Sequence, residues 1–223
     1  MKCCLFLLLP LLVPAQVAKE ANERYRTKEG RAGIAQTLDR PDRDQTQKPR
    51  ELVDALDLRP GMTVADIGAG VGYLLPLLSR AVAPGGRVIA EDIFEDFLNK
   101  ARQKVEREKL ANVEFVQGSE TDPNLPANAV DLALALDSYH HWDYPETMLA
   151  GLRRALKPGG RLVIVDFYKR RGAMGPNDPD RALQHIRVDQ DQVIQEVERA
   201  GFRLFSKREH VPASQYMLVF ERT

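Results

Sequence analysis

The sequence predicts an α/β fold in which a mostly parallel β-sheet carries helices on both faces. From about residue 51 onwards, short apolar segments alternate with segments of helical periodicity. That alternation is typical of parallel strands joined by helical crossovers. The last two strand-like segments, residues 203–207 and 216–221, are separated by too few residues for a helix. We therefore expect them to pair antiparallel.

The first predicted helix covers residues 50–58 and begins after Pro49, a residue favoured in the first helical turn. Its apolar residues Leu52, Val53 and Leu56 have helical spacing, and a turn at residues 59–61 leads into the first strand. The other predicted helices are residues 72–82, 94–108, 145–156 and 190–200. The other predicted strands before the final pair are residues 64–67, 87–91, 113–116, 130–136 and 161–166.

The segment at residues 64–73 reads VADIGAGVGY, an apolar run followed by three alternate glycines. Such a run suits a buried parallel strand, and the glycines let the backbone turn closely against a ligand. Dinucleotide-binding folds have the spacing G-x-G-x-x-G, whereas this spacing is G-x-G-x-G. Asp66, just before the turn, would repel a pyrophosphate and suit a cationic amino group. S-adenosylmethionine (SAM) carries an ammonium and a sulfonium group and no phosphate.

A second acid is expected at the end of the next strand, where a carboxylate can bind ribose hydroxyls. The segment Arg87–Asp92 reads RVIAED and supplies two neighbouring candidates. Because successive strand residues point to opposite faces, only one of them can face the ligand. We take Asp92 as the ribose ligand, with Glu91 as the alternative.

Four segments give the chain a family resemblance, namely VADIGAGVGY, GRVIAEDI, VEFVQGS and LKPGGRLVIVDF. In this order the chain resembles class I SAM-dependent methyltransferases, close to the group that includes the ubiquinone/menaquinone biosynthesis enzymes. The resemblance implies a Rossmann-like, mostly parallel seven-stranded sheet with an antiparallel C-terminal strand. It also implies SAM as the cofactor, held by the following residues: Asp66, Gly68, Ala69, Gly70, Gly72, Tyr73, Asp92, Ile93, Ser119, Glu120 and Asp137.

Within that set, the resemblance assigns the methionine end of SAM to Asp66 and the glycine turn, and the adenine to Ser119 and Glu120. The family usually has an aspartate at the position of Ser119. The adenine contact could therefore fall to Glu120.

Residues 137–143 read DSYHHWD and crowd polar, titratable and aromatic side chains just after the fourth strand. His140 and His141 titrate in the range of a general base, and Tyr139 is expected to line the pocket. Alternatively, His141 or Trp142 packs against the sheet or caps the next helix. We expect no metal site, because adjacent histidines on an extended segment point apart and His185 and His210 lack ligand spacing.

The amino terminus resembles a secretory signal, with an apolar stretch followed by Val13-Pro14-Ala15. We predict a signal peptide at residues 1–15, with an uncleaved anchor as the alternative, and thus a periplasmic or secreted protein. Both cysteines, Cys3 and Cys4, lie in that segment, so the mature chain would lack disulfides. After cleavage, no stable transmembrane segment is expected.

Two further units are predicted: a charged helical arm at residues 16–50 and a catalytic domain at residues 51–223. We expect the arm to fold over the cofactor, with Tyr25, Arg40 and Arg43 as possible contacts. Lysine plus arginine equal aspartate plus glutamate at 32 each, so no excess charge indicates nucleic-acid binding. The sequence does not set an oligomeric state.

The leading functional hypothesis is methyl transfer to a small, aromatic or lipophilic acceptor. It draws on the aromatic residues expected near the pocket, namely Tyr139, Trp142, Phe167 and Tyr168. One alternative is an NAD-dependent oxidoreductase, but no tyrosine is followed four residues later by the lysine of a proton relay. The other is a non-catalytic SAM-binding protein.

Overall fold

The computed structural model describes residues 16–223, so the predicted signal peptide at residues 1–15 lies outside the described residues. Seven strands form one sheet in the order β3-β2-β1-β4-β5-β7-β6. The strands are β1 Thr63–Ile67, β2 Arg87–Asp92, β3 Val113–Gln117, β4 Val130–Leu136, β5 Leu156–Phe167, β6 Phe202–Val211 and β7 Gln215–Arg222. The first five pair in parallel, and β7 is antiparallel to both of its neighbours. This confirms the predicted fold class.

The α-helices are α1 Lys28–Leu38, α2 Arg43–Gln47, α3 Pro49–Asp54, α4 Leu75–Val82, α5 Glu95–Glu108, α6 Pro145–Ala155, α7 Arg181–His185 and α8 Gln190–Arg199. Helix α4 begins three residues later than predicted, because Gly72 has a positive φ of 79° that belongs to the turn. Helix α3 also ends earlier than predicted, at Asp54.

The sheet separates two apolar layers, and alternate strand residues point into each. On one face, Ala133 and Ala135 of β4 pack against α6 and α8. On the other face, Leu132 and Leu134 pack against α3, α4 and α5. Because both faces are covered, the carboxyl ends of β1, β2 and β4 remain as the open edge at which a ligand can bind.

The amino-terminal arm lies across that edge. Ile34 and Ala35 of α1 pack against Val71 in the glycine turn and Phe97 of α5. Arg31 donates a hydrogen bond from Nε to Asp96 Oδ2 at 2.7 Å and fixes α1 to the start of α5. Within residues 16–223, no helix has the length and apolar character needed to span a membrane.

Candidate active site

The glycine turn after β1 holds its backbone tightly against neighbouring segments. Gly68 and Gly70 have positive φ angles of 71° and 56°, which residues other than glycine rarely adopt. A Cβ added to Gly68 would lie 2.8 Å from Ser138 Cβ, and one added to Gly70 would lie 3.1 Å from Leu38 Cδ1. The sequence therefore needs glycine here both for the turn and for the close approach of the arm and of the segment after β4.

The Asp66 carboxylate, at the tip of β1, is 4% exposed. It has no hydrogen-bond partner among residues 16–223, although it lies in the wall of a cavity. Burial raises its pKa to about 7, the nearby Arg43 charge opposes this rise, and the Asp92 charge adds to it. A buried carboxylate without a partner is costly in the free protein, and a cationic group would relieve that cost.

The two acids at the end of β2 both reach the glycine turn. Asp92 accepts hydrogen bonds from Gly70 N at 2.8 Å and from Phe94 N at 2.9 Å. Burial raises the pKa of Asp92 to about 6, and these backbone donors limit the rise. Glu91 accepts from Gly68 N at 3.2 Å, and burial, together with the Asp92 charge, raises its pKa well above the usual range.

A cavity of about 520 Å³ opens beside the turn at the carboxyl ends of β1, β2 and β4. Its wall contains ten of the predicted cofactor residues, namely Asp66, Gly68, Ala69, Gly70, Tyr73, Asp92, Ile93, Ser119, Glu120 and Asp137. Glu91 and His141 also line it, whereas Gly72 and His140 do not. The β-strand topology thus brings together residues as far apart in the sequence as Asp66 and Asp137.

Two residues of the amino-terminal arm line the cavity as the sequence suggested. The Tyr25 ring stacks on Phe94 with ring centroids 5.8 Å apart and meets His141 edge-on at 4.8 Å. The Arg43 guanidinium lies 4.0 Å from the centroid of the Tyr73 ring. Burial raises the pKa of Tyr25 to about 12, so its hydroxyl stays protonated at neutral pH.

Arg40, the third residue expected from the arm, is outside the cavity wall. It lies exposed in the turn before α2 and pairs with Asp42, two residues along the chain. The expectation of a cofactor contact from Arg40 is therefore wrong, because the turn directs this side chain into solvent.

The histidine segment forms one turn of 3-10 helix, Tyr139–His141, after Asp137. Asp166, at the end of β5, accepts from the His140 backbone N at 3.0 Å and lies 2.7 Å from His140 Nδ1 through its other oxygen. Burial alone would lower the pKa of His140, but the Asp166 carboxylate more than offsets this and the pKa is raised. Asp166 thus orients an imidazole rather than a substrate.

The histidine side chains converge, so the expectation that adjacent histidines point apart is wrong. The ring centroids of His140 and His141 are 4.0 Å apart, because the segment is helical rather than extended. The His185 ring of α7 lies 5.1 Å and 5.2 Å from these two rings. Burial, with the neighbouring imidazoles, lowers the pKa of His141 well below the usual range. Burial and the neighbouring charges of His140 and Arg181 lower the pKa of His185 to about 4.

Tyr139 does not line the cavity, contrary to expectation. The 3-10 turn directs its ring into the core, and its hydroxyl donates to Glu196 Oε2 at 2.6 Å. Glu196 also accepts from both terminal nitrogens of Arg187, and Arg187 does not line the cavity. Of the four aromatic residues expected to line the pocket, only Trp142 does so.

Two side-chain contacts to residues that line the cavity, Asp137 and His141, were not expected from the sequence. Gln215 Nε2 donates to Asp137 Oδ1 at 2.6 Å and to Gln47 Oε1 at 3.0 Å. Asn22 donates to the His141 carbonyl at 2.8 Å, and its own Oδ1 lies 2.8 Å from His141 Nδ1. These polar residues come from distant segments, and no local pattern in the sequence marks them.

The cavity suits a ligand with a cationic amino-acid end and no phosphate. Asp66 offers a buried anion to an ammonium, and Arg43, which also lines the cavity, offers a cation to a carboxylate. Glu91 and Asp92 line the adjoining wall, where their oxygens can accept from hydroxyl groups. Asp66 and Asp92, when ionised, would repel a pyrophosphate. SAM has both the charged groups and the ribose hydroxyls that this arrangement fits.

Comparison with known proteins agrees with this geometry. Residues 65–164 match the family model described as a methyltransferase domain. The ubiquinone/menaquinone biosynthesis C-methyltransferase UbiE of Escherichia fergusonii is 31% identical, and the match covers 69% of this chain and 71% of that protein. A protein in transposon TN4556 of Streptomyces fradiae is 39% identical over 113 residues, which span 51% of this chain and 32% of that relative's length.

Among solved structures, a SAM-dependent methyltransferase from Aquifex aeolicus has a TM-score of 0.77 and 31% identity, covering 86% of this chain and 98% of that chain. The mitomycin 7-O-methyltransferase MmcR has a TM-score of 0.72 at 20% identity, covers 90% of this chain and 59% of that one, and shares the fold. The chain therefore belongs to the class I SAM-dependent methyltransferase family, with SAM as its cofactor.

Proposed function

We propose that this protein transfers a methyl group from SAM to a small aromatic or lipophilic acceptor bound beside the histidine turn. The observation that carries the proposal is that the cavity that fits SAM extends to this turn. His141 lies in the cavity wall, and its ring contacts that of His140, the imidazole that Asp166 orients. A donor site and a group able to accept a proton therefore adjoin each other.

On this proposal, each wall residue has a defined task. Asp66 holds the ammonium and Arg43 the carboxylate, while Asp92 accepts from the ribose hydroxyls. SAM, when bound, supplies an already activated methyl group on a sulfonium. The chain must then hold the acceptor atom in line with that group and exclude water, and such positioning can contribute about 7–11 kcal/mol.

A hydroxyl acceptor must also lose its proton, and we assign this role to His140. Its ring contacts that of His141 but lies outside the cavity wall, so the acceptor hydroxyl must reach it past His141. Asp166 binds His140 Nδ1, which leaves Nε2 as the nitrogen that can accept the proton. The raised pKa of His140 makes it a stronger base than an unpaired imidazole. A general base of this kind contributes about 10²–10⁴-fold in rate. His141 has a strongly lowered pKa and is a poorer base, so we assign it only to the wall of the cavity.

The proposed acceptor class follows from the apolar part of the cavity wall. Tyr25, Phe94, Phe97, Trp142 and Met148 line it and offer flat or flexible apolar surfaces. Such surfaces favour a planar, apolar molecule over a sugar or a peptide.

We also propose that residues 1–15 direct export of the protein, that residues 16–50 form an amino-terminal arm and that residues 51–223 form the catalytic domain.

The experiment has a binding stage and a transfer stage. Calorimetry with SAM, S-adenosylhomocysteine and NAD should show binding of the first two ligands only. Incubation with SAM labelled in its methyl group and a panel of phenols, quinols and amines should then label at least one acceptor. His140→Gln should reduce transfer about 10²–10⁴-fold. The matched variant His210→Gln should not, since His210 contacts the Gln47 carbonyl instead.

Binding of NAD without SAM would reject the proposal entirely. Binding of SAM with no labelled product across the panel would favour a non-catalytic SAM-binding protein. The amino-terminal residue of the protein purified from its native cells tests export, because cleavage should leave residue 16 first.

A further inference from the structure

Three histidines from two distant parts of the chain meet beside the cavity. His140, His141 and His185 each offer a ring nitrogen, and these nitrogens all lie within 4.8 Å of one another. We propose that the three side chains bind one divalent transition-metal ion, of which Zn²⁺ is the best match. Imidazole nitrogens are preferred ligands of zinc, copper, iron and nickel, and three of them with one open position are typical of catalytic zinc.

Two of the three rings are already oriented as metal ligands usually are. A ligating histidine commonly donates its other ring N–H to a carboxylate or carbonyl oxygen, which fixes the tautomer and the ring plane. His140 Nδ1 has Asp166 Oδ1 at 2.7 Å, and His141 Nδ1 has Asn22 Oδ1 at 2.8 Å. In both rings the Nε2 atom then carries the lone pair. His141 Nε2 has one hydrogen-bond contact among the described residues, with Tyr25 Oη at 3.4 Å. A metal ion would replace this long contact.

The remaining distance can be closed by side-chain movement. Zinc–nitrogen bonds of about 2.0–2.1 Å in a tetrahedron require nitrogens about 3.4 Å apart. The present separations of up to 4.8 Å must therefore shrink by about 1.4 Å. Within the part of the chain that the structure describes, the His185 ring makes no hydrogen bond, and it lies on the five-residue helix α7. This side chain can therefore rotate toward the other two without breaking a hydrogen bond.

The charges around the cluster favour a cation. Asp166 contacts His140 directly, and the Asp137 charge also acts on that imidazole. Arg181 opposes a cation, since its charge acts on both His140 and His185. Two carboxylates against one guanidinium leave a net negative surrounding for a divalent ion.

Metal binding does not depend on methyl transfer, but it changes the role of His140. A coordinated Nε2 has no lone pair with which to accept a proton. In the metal-bound state, the ion would lower the pKa of a hydroxyl group at its open position and replace the imidazole as the cause of deprotonation. The metal-free and metal-bound proteins would then differ in their dependence on pH.

The test measures metal binding without SAM or any acceptor. Metal binding can therefore be absent while methyl transfer is observed, or present while methyl transfer is not. The full protein is stripped with a chelator and titrated with Zn²⁺ by calorimetry, and with Co²⁺ by visible absorption. We expect one ion per chain and the intense absorption bands of tetrahedral cobalt. His185→Ala should weaken Zn²⁺ binding at least about 100-fold, because loss of even a partner of a ligand costs 10–100-fold. The matched variant His210→Ala should bind like the wild type.

Since His185 is outside the cavity wall, SAM binding by His185→Ala serves as the check on folding. If that variant does not fold, His185→Gln replaces it, because its side chain keeps most of the volume. Absence of Zn²⁺ binding at micromolar concentrations in the wild-type protein would overturn the inference. Equal binding by wild type and His185 variants would overturn it as well.

Discussion

Replacement of Asp66 by asparagine should stabilise the protein without ligand and weaken its binding of SAM. The pKa of Asp66 rises from 3.8 to about 7 on folding. Between about pH 4 and pH 7, the folded protein therefore keeps a proton that the unfolded chain has released. Its stability falls as the pH rises through this window, and the full penalty is present above pH 7.

The size of the effect follows from the same shift. About three pKa units at 1.36 kcal/mol each give about 4 kcal/mol of lost stability at pH 8. This is an upper limit, because water in the open cavity partly solvates the carboxylate. Asparagine has nearly the same shape and no charge, so Asp66→Asn should recover between about 1 and 4 kcal/mol at pH 8. At pH 5 this gain in stability should fall to about one third, since pH 5 lies about one third of the way from the unfolded to the folded pKa of Asp66.

Thermal unfolding of the ligand-free protein at pH 8 and pH 5 measures this difference, at about 2–4 °C per kcal/mol for a chain of this size. Calorimetry at pH 7.5 should show SAM bound about 10–150-fold more weakly, because an ammonium loses its charged partner. Asp54→Asn, at an exposed position in α3, is the matched control and should change neither quantity. An Asp66→Asn protein that melts at or below the wild-type temperature at pH 8, or binds SAM normally, would refute the reasoning.

Three further substitutions test separate parts of the site. Arg43→Gln should weaken SAM binding about tenfold by calorimetry, while Arg40→Gln should have no effect; equal losses would remove Arg43 from the carboxylate site. Asp92→Ala should cost about 1–3 kcal/mol of SAM affinity, again by calorimetry, and unchanged affinity would contradict its assignment to the ribose. Asp166→Asn should lower the pKa of His140, so the acid limb of the kcat/KM profile should move to lower pH as the rate falls. A profile that coincides with that of the wild type would exclude this positioning role.

Most of the fold could be predicted from the sequence, because its strands and helices have clear periodicities. The fourth strand was predicted at residues 130–136 and is observed at Val130–Leu136. The strand predicted at residues 203–207 instead extends over Phe202–Val211. Its outer half is rich in charged residues on an exposed sheet edge, so the apolar alternation that marks a strand is missing there.

The acids that line the cavity could also be predicted, because acids at the carboxyl ends of parallel strands meet at one edge. The side-chain directions in the histidine segment could not. An extended segment is expected from the sequence, whereas the 3-10 turn Tyr139–His141 directs Tyr139 into the core and brings the histidine rings together. The approach of Asn22 and His185 to His141 depends on how distant segments pack, which local periodicity does not encode.

The acidic wall formed by Asp66, Glu91 and Asp92 has a consequence for each catalytic cycle. The spent donor, S-adenosylhomocysteine, has lost the sulfonium charge and so carries one positive charge fewer than SAM. In the proposed binding mode, Asp66 contacts the ammonium and Asp92 the ribose hydroxyls, and the spent donor keeps both groups. We therefore expect the wall to retain S-adenosylhomocysteine nearly as well as SAM, so that product inhibition follows from the same contacts that bind the fresh donor.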